Sequence, residues 1–251
     1  MATCMRVWMF LFFLMGAADF SCSPAQAGKL IDAVKLRDVA QVRRLLEAGE
    51  SLREKVKGDY PLNVAALFGP PEMVAVLLEA GADIEQPGRD GLHPLHNAVL
   101  SDRIDVVVFL IAQGAAVNSR DSQGRTPLLS FAAIVGKNLD IPRALLASGA
   151  DPMLEESVDQ LRPLDFAAIS GEVELAGLLL SSGADINARQ TVGWGETALM
   201  HAVFHNQIAF VRLLVAQGAD VSLANKQGQG ILFYAEGKPE IHKILVAAGA
   251  K

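Results

Sequence analysis

His201 and His205 stand four residues apart in a stretch that reads as a helix, so both rings could reach one metal ion from the same face. His93 and His96 are three apart. A metal site needs a third ligand, and the sequence around His201 and His205 supplies none. Glu155 and Glu156 form a carboxylate pair, but they lie in a loop-like stretch where paired acids are commonly solvated. Other starting points for catalysis are missing: there is no G-x-S-x-G nucleophile turn, no H-E-x-x-H zinc helix, no phosphate-cradling glycine loop and no cysteine pair. The expectation is a chain that is not an enzyme, with no catalytic residue, no cofactor and no metal.

Whole-chain chemistry narrows the class further. The 251 residues carry 22 Lys and Arg against 28 Asp and Glu, a net charge of -6, which argues against a general nucleic-acid binder with its basic face. Residues 1–27 read as a secretory signal peptide. Arg6 precedes an apolar block from Val7 to about Ala18, and small residues end at Ala25-Gln26-Ala27. The block is short for a membrane span. Both cysteines, Cys4 and Cys22, fall inside this segment, so the mature chain would have no disulfide and would depend on packing alone. The alternative is a lipoprotein signal with Cys22 acylated, which Asp19, Phe20 and Ser21 fit poorly.

The elements that must position any site follow from a repeat. Gly49, Gly81, Gly114, Gly149, Gly183, Gly218 and Gly249 each close an apolar run, and Pro61, Pro94, Pro127, Pro163, Ala198 and Ile231 step along at the same period of about 33 residues. In "GRTPLLSFAAIVGKNLDIPRALLASGAD", Thr126 can cap the amides of a new helix, and Pro127 sits where a missing N–H does no harm. Gly136 offers a turn, and a second helix carrying Leu145 and Leu146 stops at Gly149, suited to a left-handed cap. Two short antiparallel helices cannot bury their apolar faces alone, so each pair must stack on its neighbours.

These residues resemble the ankyrin repeat. The family's T-P-L-H-x-A pattern is met by "HPLHNA" at 93–98 and "TPLLSFA" from Thr126, and varied in "YPLNVAA" from Tyr60, "RPLDFAA" from Arg162 and "TALMHA" from Thr197. The helix-ending G-A-D is intact at Gly81, Gly183 and Gly218. The resemblance implies an all-α ankyrin-repeat solenoid of stacked helix-turn-helix units with projecting β-hairpin or loop fingers. It covers residues 28–251 as about seven units: 29–57 as an N-terminal cap, 58–90, 91–123, 124–159, 160–192, 193–227, and 228–251 as a C-terminal cap. It also implies that His96, at the family's histidine position, bonds the backbone of a neighbouring finger, and that another protein binds the concave face made by fingers and first helices.

Deviations from the period point to candidate contact residues. Gly81 to Pro94 takes 13 steps, whereas Gly149 to Pro163 takes 14 and Gly183 to Ala198 takes 15. The first long finger holds Glu155 and Glu156; the second holds Trp194 between Gly193 and Gly195. Trp194 is either a projecting aromatic anchor or a ring folded back over the next finger. The last two residues of each first helix read Leu67-Phe68, Leu100-Ser101, Ile134-Val135, Ile169-Ser170 and Phe204-His205. The first of each pair is apolar, giving either an exposed stripe or a half-buried row between units, and Phe68 and Val135 are the better surface candidates. The partner-binding set is therefore Trp194, Phe68, Val135, Phe204, His205, Glu155 and Glu156.

The expected function is an exported binding protein, periplasmic and monomeric when free, that holds a folded protein partner without nucleic acid or a membrane span. A periplasmic enzyme that it restrains, stabilises or protects is the first expectation. An envelope-anchored spacer and a secreted effector binding host proteins are the alternatives.

Overall fold

The computed structural model describes residues 28–136 and 138–251. Residues 1–27, expected as a signal peptide and holding Cys4 and Cys22, lie outside the described residues. Among the described residues fourteen α-helices form and no strand: α1 Lys29–Lys35, α2 Val39–Glu47, α3 Pro61–Phe68, α4 Pro71–Glu79, α5 Pro94–Leu100, α6 Ile104–Ala112, α7 Pro127–Ala133, α8 Asp140–Ala147, α9 Pro163–Ser170, α10 Val173–Ser181, α11 Ala198–Phe204, α12 Ile208–Ala216, α13 Ile231–Tyr234 and α14 Pro239–Ala247. The chain divides into two compact units, one made of Met1–Ser122 with Gly136–Ser148, the other of Gln123–Val135 with Gly149–Lys251.

Each helix starts and stops for local reasons. Pro61, Pro94, Pro127 and Pro163 occupy the first helical position, where φ is already set and no amide is missed. The Thr126 hydroxyl accepts from the Leu129 amide at 3.3 Å, and Thr197 accepts from Met200 at 3.4 Å. At the other end of each hairpin the chain needs a left-handed residue. Gly183 takes it at φ 95°, which turns the Ala184 amide back onto the Leu179 carbonyl at 3.0 Å. The same closure recurs from Ala82 to Leu77, Ala115 to Leu110 and Ala219 to Leu214.

Packing follows a two-layer plan in each unit. In the first, α1, α3 and α5 lie side by side as an inner row, backed by α2, α4, α6 and α8. In the second, α7, α9, α11 and α13 form the inner row, backed by α10, α12 and α14. Inner helix α9 meets α7 and α11 on its two sides and α10 behind, so nearly its whole circumference is buried, over Pro163–Ile169; every residue of α7 is buried as well. Alanines allow that closeness, as at Ala65-Ala66, Ala132-Ala133 and Ala167-Ala168. Backing helices bury one face only, through Val106, Val107 and Leu110 on α6 or Phe210, Val211 and Leu214 on α12. Each such fully buried side chain contributes roughly 1.5–3 kcal/mol of transfer free energy.

The turn between the two helices of a hairpin corrects one expectation. The residue eight places after the helix-starting position takes the left-handed seat: Asp102, Val135, Gly171 and Asn206 have φ of 56°, 56°, 81° and 59°. Val135, not Gly136, makes the fourth turn. The pair equivalent to Leu67-Phe68 is then Ala133-Ile134, so Val135 belongs to the turn and is half-buried rather than a surface contact. Gly69 holds the same place in the second hairpin but is extended at φ -78° and ψ 156°, because Pro70 disfavours a helical or turned residue before it.

Fingers, expected as β-hairpins or loops, are tight loops closed by isolated pairings such as Arg189 with Thr197 and Ala224 with Gly230.

Candidate protein-binding surface

The finger tips of the second unit are set by where the backbone closes. The Asn225 amide donates to the Gln229 carbonyl at 3.0 Å, leaving Lys226, Gln227 and Gly228 in the loop. Glu156 closes on Leu161 at 3.1 Å around Ser157, Val158, Asp159 and Gln160. Gln190 closes on Glu196 at 3.0 Å around Thr191, Val192, Gly193, Trp194 and Gly195. The extra residues of the two long fingers are thus added at their tips. Trp194 is 50 % exposed there, so about half of the indole's surface is open to solvent.

Neighbouring fingers hold one another by backbone and cation contacts. The Ser157 amide donates to Gln123 O at 2.8 Å and the Lys226 amide to Trp194 O at 2.8 Å. Arg162 pairs with Glu155 at 2.9 Å and donates to Arg189 O at 3.1 Å. Arg189 donates to Gly195 O at 3.2 Å and also to Ala224 O. Lys226 Nζ donates to Thr191 O at 2.7 Å.

Of the acids proposed for contact, Glu155 is half-buried and committed to Arg162, with Thr191 Oγ1 donating to it at 3.4 Å. Glu156 is not a surface residue. At 2 % exposure its carboxylate turns inward to accept from the Val158 and Asp159 amides, capping its own loop, which removes it from the contact set.

The inner helix ends give a graded result instead of a stripe. Ile169 is buried and Leu67 and Leu100 are half-buried, whereas Phe204 is 53 % exposed. Phe204 is uncovered because the helix beside it, α13, has four residues and ends at Tyr234. The Lys238 ammonium lies 5.9 Å from its ring centroid, and the half-buried His205 meets it edge-on with centroids 5.1 Å apart. Phe68, in the first unit, is 48 % exposed at the end of α3.

Buried polar groups beneath these tips were less legible. Asp165, two residues after Pro163, is buried and accepts from the Arg162 amide at 2.9 Å. Desolvation pushes its carboxyl up to about 7; the Arg162 amide and charge oppose this, and Glu155 and Glu196 add to it. Burial also raises Glu196, against the pull of the Tyr234 hydroxyl. His201 is buried and held down at about 4 by desolvation, then by the charge of His205. His205 is lowered by burial and by Lys238. No group of three or more His, Cys, Asp or Glu able to hold a metal occurs among the described residues.

In the first unit, Asn63 occupies the place of the family histidine and donates to Gln86 O at 3.2 Å and Leu92 O at 3.1 Å in the next finger. His96, one hairpin later, is buried with its ring centroid 5.6 Å from that of His93. His93 Nδ1 meets Glu85 at 3.0 Å, and the other Glu85 oxygen accepts from the Ala116 amide at 2.7 Å. No described helix is long and apolar enough to cross a membrane.

Comparison with known proteins agrees with this geometry. A family model described as ankyrin repeats (3 copies) matches residues 30–121, 95–190 and 164–251. Human SH3 and multiple ankyrin repeat domains protein 2 is 28 % identical over 204 residues, 80 % of this chain and 11 % of that protein. Human Rabankyrin-5 is 31 % identical over 195 residues, 76 % of this chain and 16 % of its own length. The B-cell lymphoma 3 protein homolog of Mus musculus is 29 % identical over 202 residues, 77 % of this chain and 44 % of its own. The chain therefore spans less than half the length of these relatives. Among solved structures, the ankyrin repeat domain of Bcl-3 superposes with a TM-score of 0.79 at 26 % identity, covering 88 % of this chain and 98 % of that one. These relatives are eukaryotic, so they lend nothing to an exported bacterial subtype. With the family model spanning most of its length and every helical hairpin in place, the chain belongs to the ankyrin-repeat family, an all-α solenoid fold that serves as a protein–protein interaction module.

Proposed function

We propose that this chain is an exported, non-enzymatic binding protein that captures a folded protein partner on the finger tips and inner helix ends of its second unit. The single observation that carries the reading is Trp194, a half-exposed indole placed by two glycines at the tip of the longest finger. A rigid aromatic held by its backbone loses little entropy on binding and buries a large area. Exposed Phe204 extends the apolar surface at the helix ends of the same unit.

Export is supported by the order of charge, apolar block and small residues in 1–27. In that setting the partner is a periplasmic enzyme that the chain restrains, stabilises or protects. A mature N-terminus at Gly28, read by mass spectrometry, supports a released chain; an acylated Cys22 overturns release in favour of an anchored one.

The binding test is affinity capture from envelope extract with the mature chain and with Trp194→Ala and Phe68→Ala, each variant checked for an unchanged melting temperature. A protein retained by the parent and lost with Trp194→Ala supports the second-unit surface. Capture indifferent to Trp194 overturns it.

A further inference from the structure

The three finger tips of the second unit are joined into one strip. Gln190 Nε2 donates to Asp159 O at 3.2 Å, Thr191 Oγ1 reaches Glu155, and Lys226 reaches both Thr191 O and Trp194 O. Three exposed apolar side chains sit in the joined loops: Val158 at 57 %, Val192 at 40 % and Trp194 at 50 %.

Around them the charged groups differ in how far they are already engaged. The cations Arg162, Arg189 and Lys226 are all turned onto finger carbonyls, with Arg162 also pairing with Glu155, so they already have partners within the fold. Of the acids nearby, Glu155 is paired with Arg162, Glu156 caps its own loop, and buried Asp165 is driven towards its protonated form, which leaves Asp159 and the half-buried Glu196. No cation among the described residues forms an ion pair with Asp159, which is half-buried at the tip beside Val158.

Building on the surface proposed above, we infer that this strip recognises a protein segment presenting a Lys or Arg beside a bulky apolar side chain. The apolar group packs against Trp194, Val192 and Val158. The cation is drawn to Asp159 and to the face of the indole, where attraction to the ring adds to the local negative charge. An acidic segment meets repulsion at the same place.

The test pans a library of short random peptides on the immobilised full-length chain, with Trp194→Ala as the counter-selection. Clones held by the parent and lost by Trp194→Ala should be enriched in Lys or Arg next to aliphatic or aromatic residues. They should release as salt rises, and bind roughly tenfold more weakly to Asp159→Lys, the scale of a charge reversal at an interface rim. Trp194-dependent clones that are neutral or acidic would overturn the inferred chemistry and leave the surface standing. If no clone depends on Trp194, the surface itself fails, and the inference with it.

Discussion

The amide of Lys226 donates to the carbonyl oxygen of Trp194 at 2.8 Å, so the exposed indole is anchored through its own backbone by the following finger. Gly195 is what lets that finger approach. A Cβ there would fall 2.8 Å from Lys226 Cγ, and the backbone sits at φ 69°. Gly195→Ala should therefore destabilise the chain by about 1–2 kcal/mol. Trp194→Ala, which loses only a half-buried ring, should stay within roughly 1 kcal/mol of the parent. Urea unfolding of the two variants checks the contrast. Equal loss in both would mean that the ring, not the backbone bond, holds the tip.

Asp165 and His201 have opposite pH signatures. Asp165 keeps a proton up to about 7 in the folded state, whereas the unfolded carboxyl releases it near 3.8, so its contribution to stability falls as pH rises between those values. His201, neutral down to about 4 when folded against 6.5 unfolded, contributes stability that is present above 6.5 and lost as pH falls towards 4. Between about 4 and 6.5 the two oppose each other. Asn63 shows that an amide suits this place in a hairpin, accepting from Tyr60 and donating to the next finger. Asp165→Asn should raise stability by on the order of 2 kcal/mol at pH 8, with the gain vanishing near pH 4. Melting temperature against pH reads this directly; a variant no more stable at pH 8 than the parent contradicts it.

Val135 holds a left-handed turn at φ 56° with a β-branched side chain, where the equivalent places use Gly171 and Asn206. Such a backbone is strained by about 1–3 kcal/mol for a non-glycine residue, and more so for a branched one. Val135→Gly should stabilise by roughly 1 kcal/mol, the relief of strain exceeding the added chain entropy of glycine. A lower denaturation midpoint in this variant would show that the packing of the valine outweighs its strain.

Met153 stands where other fingers carry an oxygen. Its sulfur accepts from the Asp185 amide at 3.2 Å, whereas Asn187 accepts from Asp220 at 2.9 Å and Glu85 from Ala116 at 2.7 Å. Thioether sulfur is a weak acceptor, so Met153→Asn should gain about 0.5–1 kcal/mol by completing a stronger bond between fingers. Slower exchange of the Asp185 amide, followed by NMR, reports on that bond alone. Unchanged exchange would count against it.

Much of the fold was readable in the chain because its elements are locally specified. Pro127 and Thr126 start a helix by their own chemistry, Gly183 ends one by its freedom at positive φ, and the shared period places one hairpin after another. The lengthened fingers were legible in the same way, as added steps between Gly149 and Pro163 and between Gly183 and Ala198. Glu156 and Val135 were misread because their roles depend on neighbours. A carboxylate in a polar loop looks solvated until the loop closes over it, and a valine beside a glycine looks like the helix residue until the turn selects it.

By itself the sequence determined the repeat, the helix starts and the position of Trp194 at a long finger, since each follows from propensities and spacing within a few residues. Tertiary structure alone decided which of those residues face solvent. Phe204 is exposed and Ile169 buried at equivalent helix ends only because α13 is cut short beside the first. Asp165 is driven towards neutrality only because stacked hairpins seal it from water. Exposure and desolvation are properties of what packs on a residue, and in a stacked array that neighbour lies about 33 residues away along the chain.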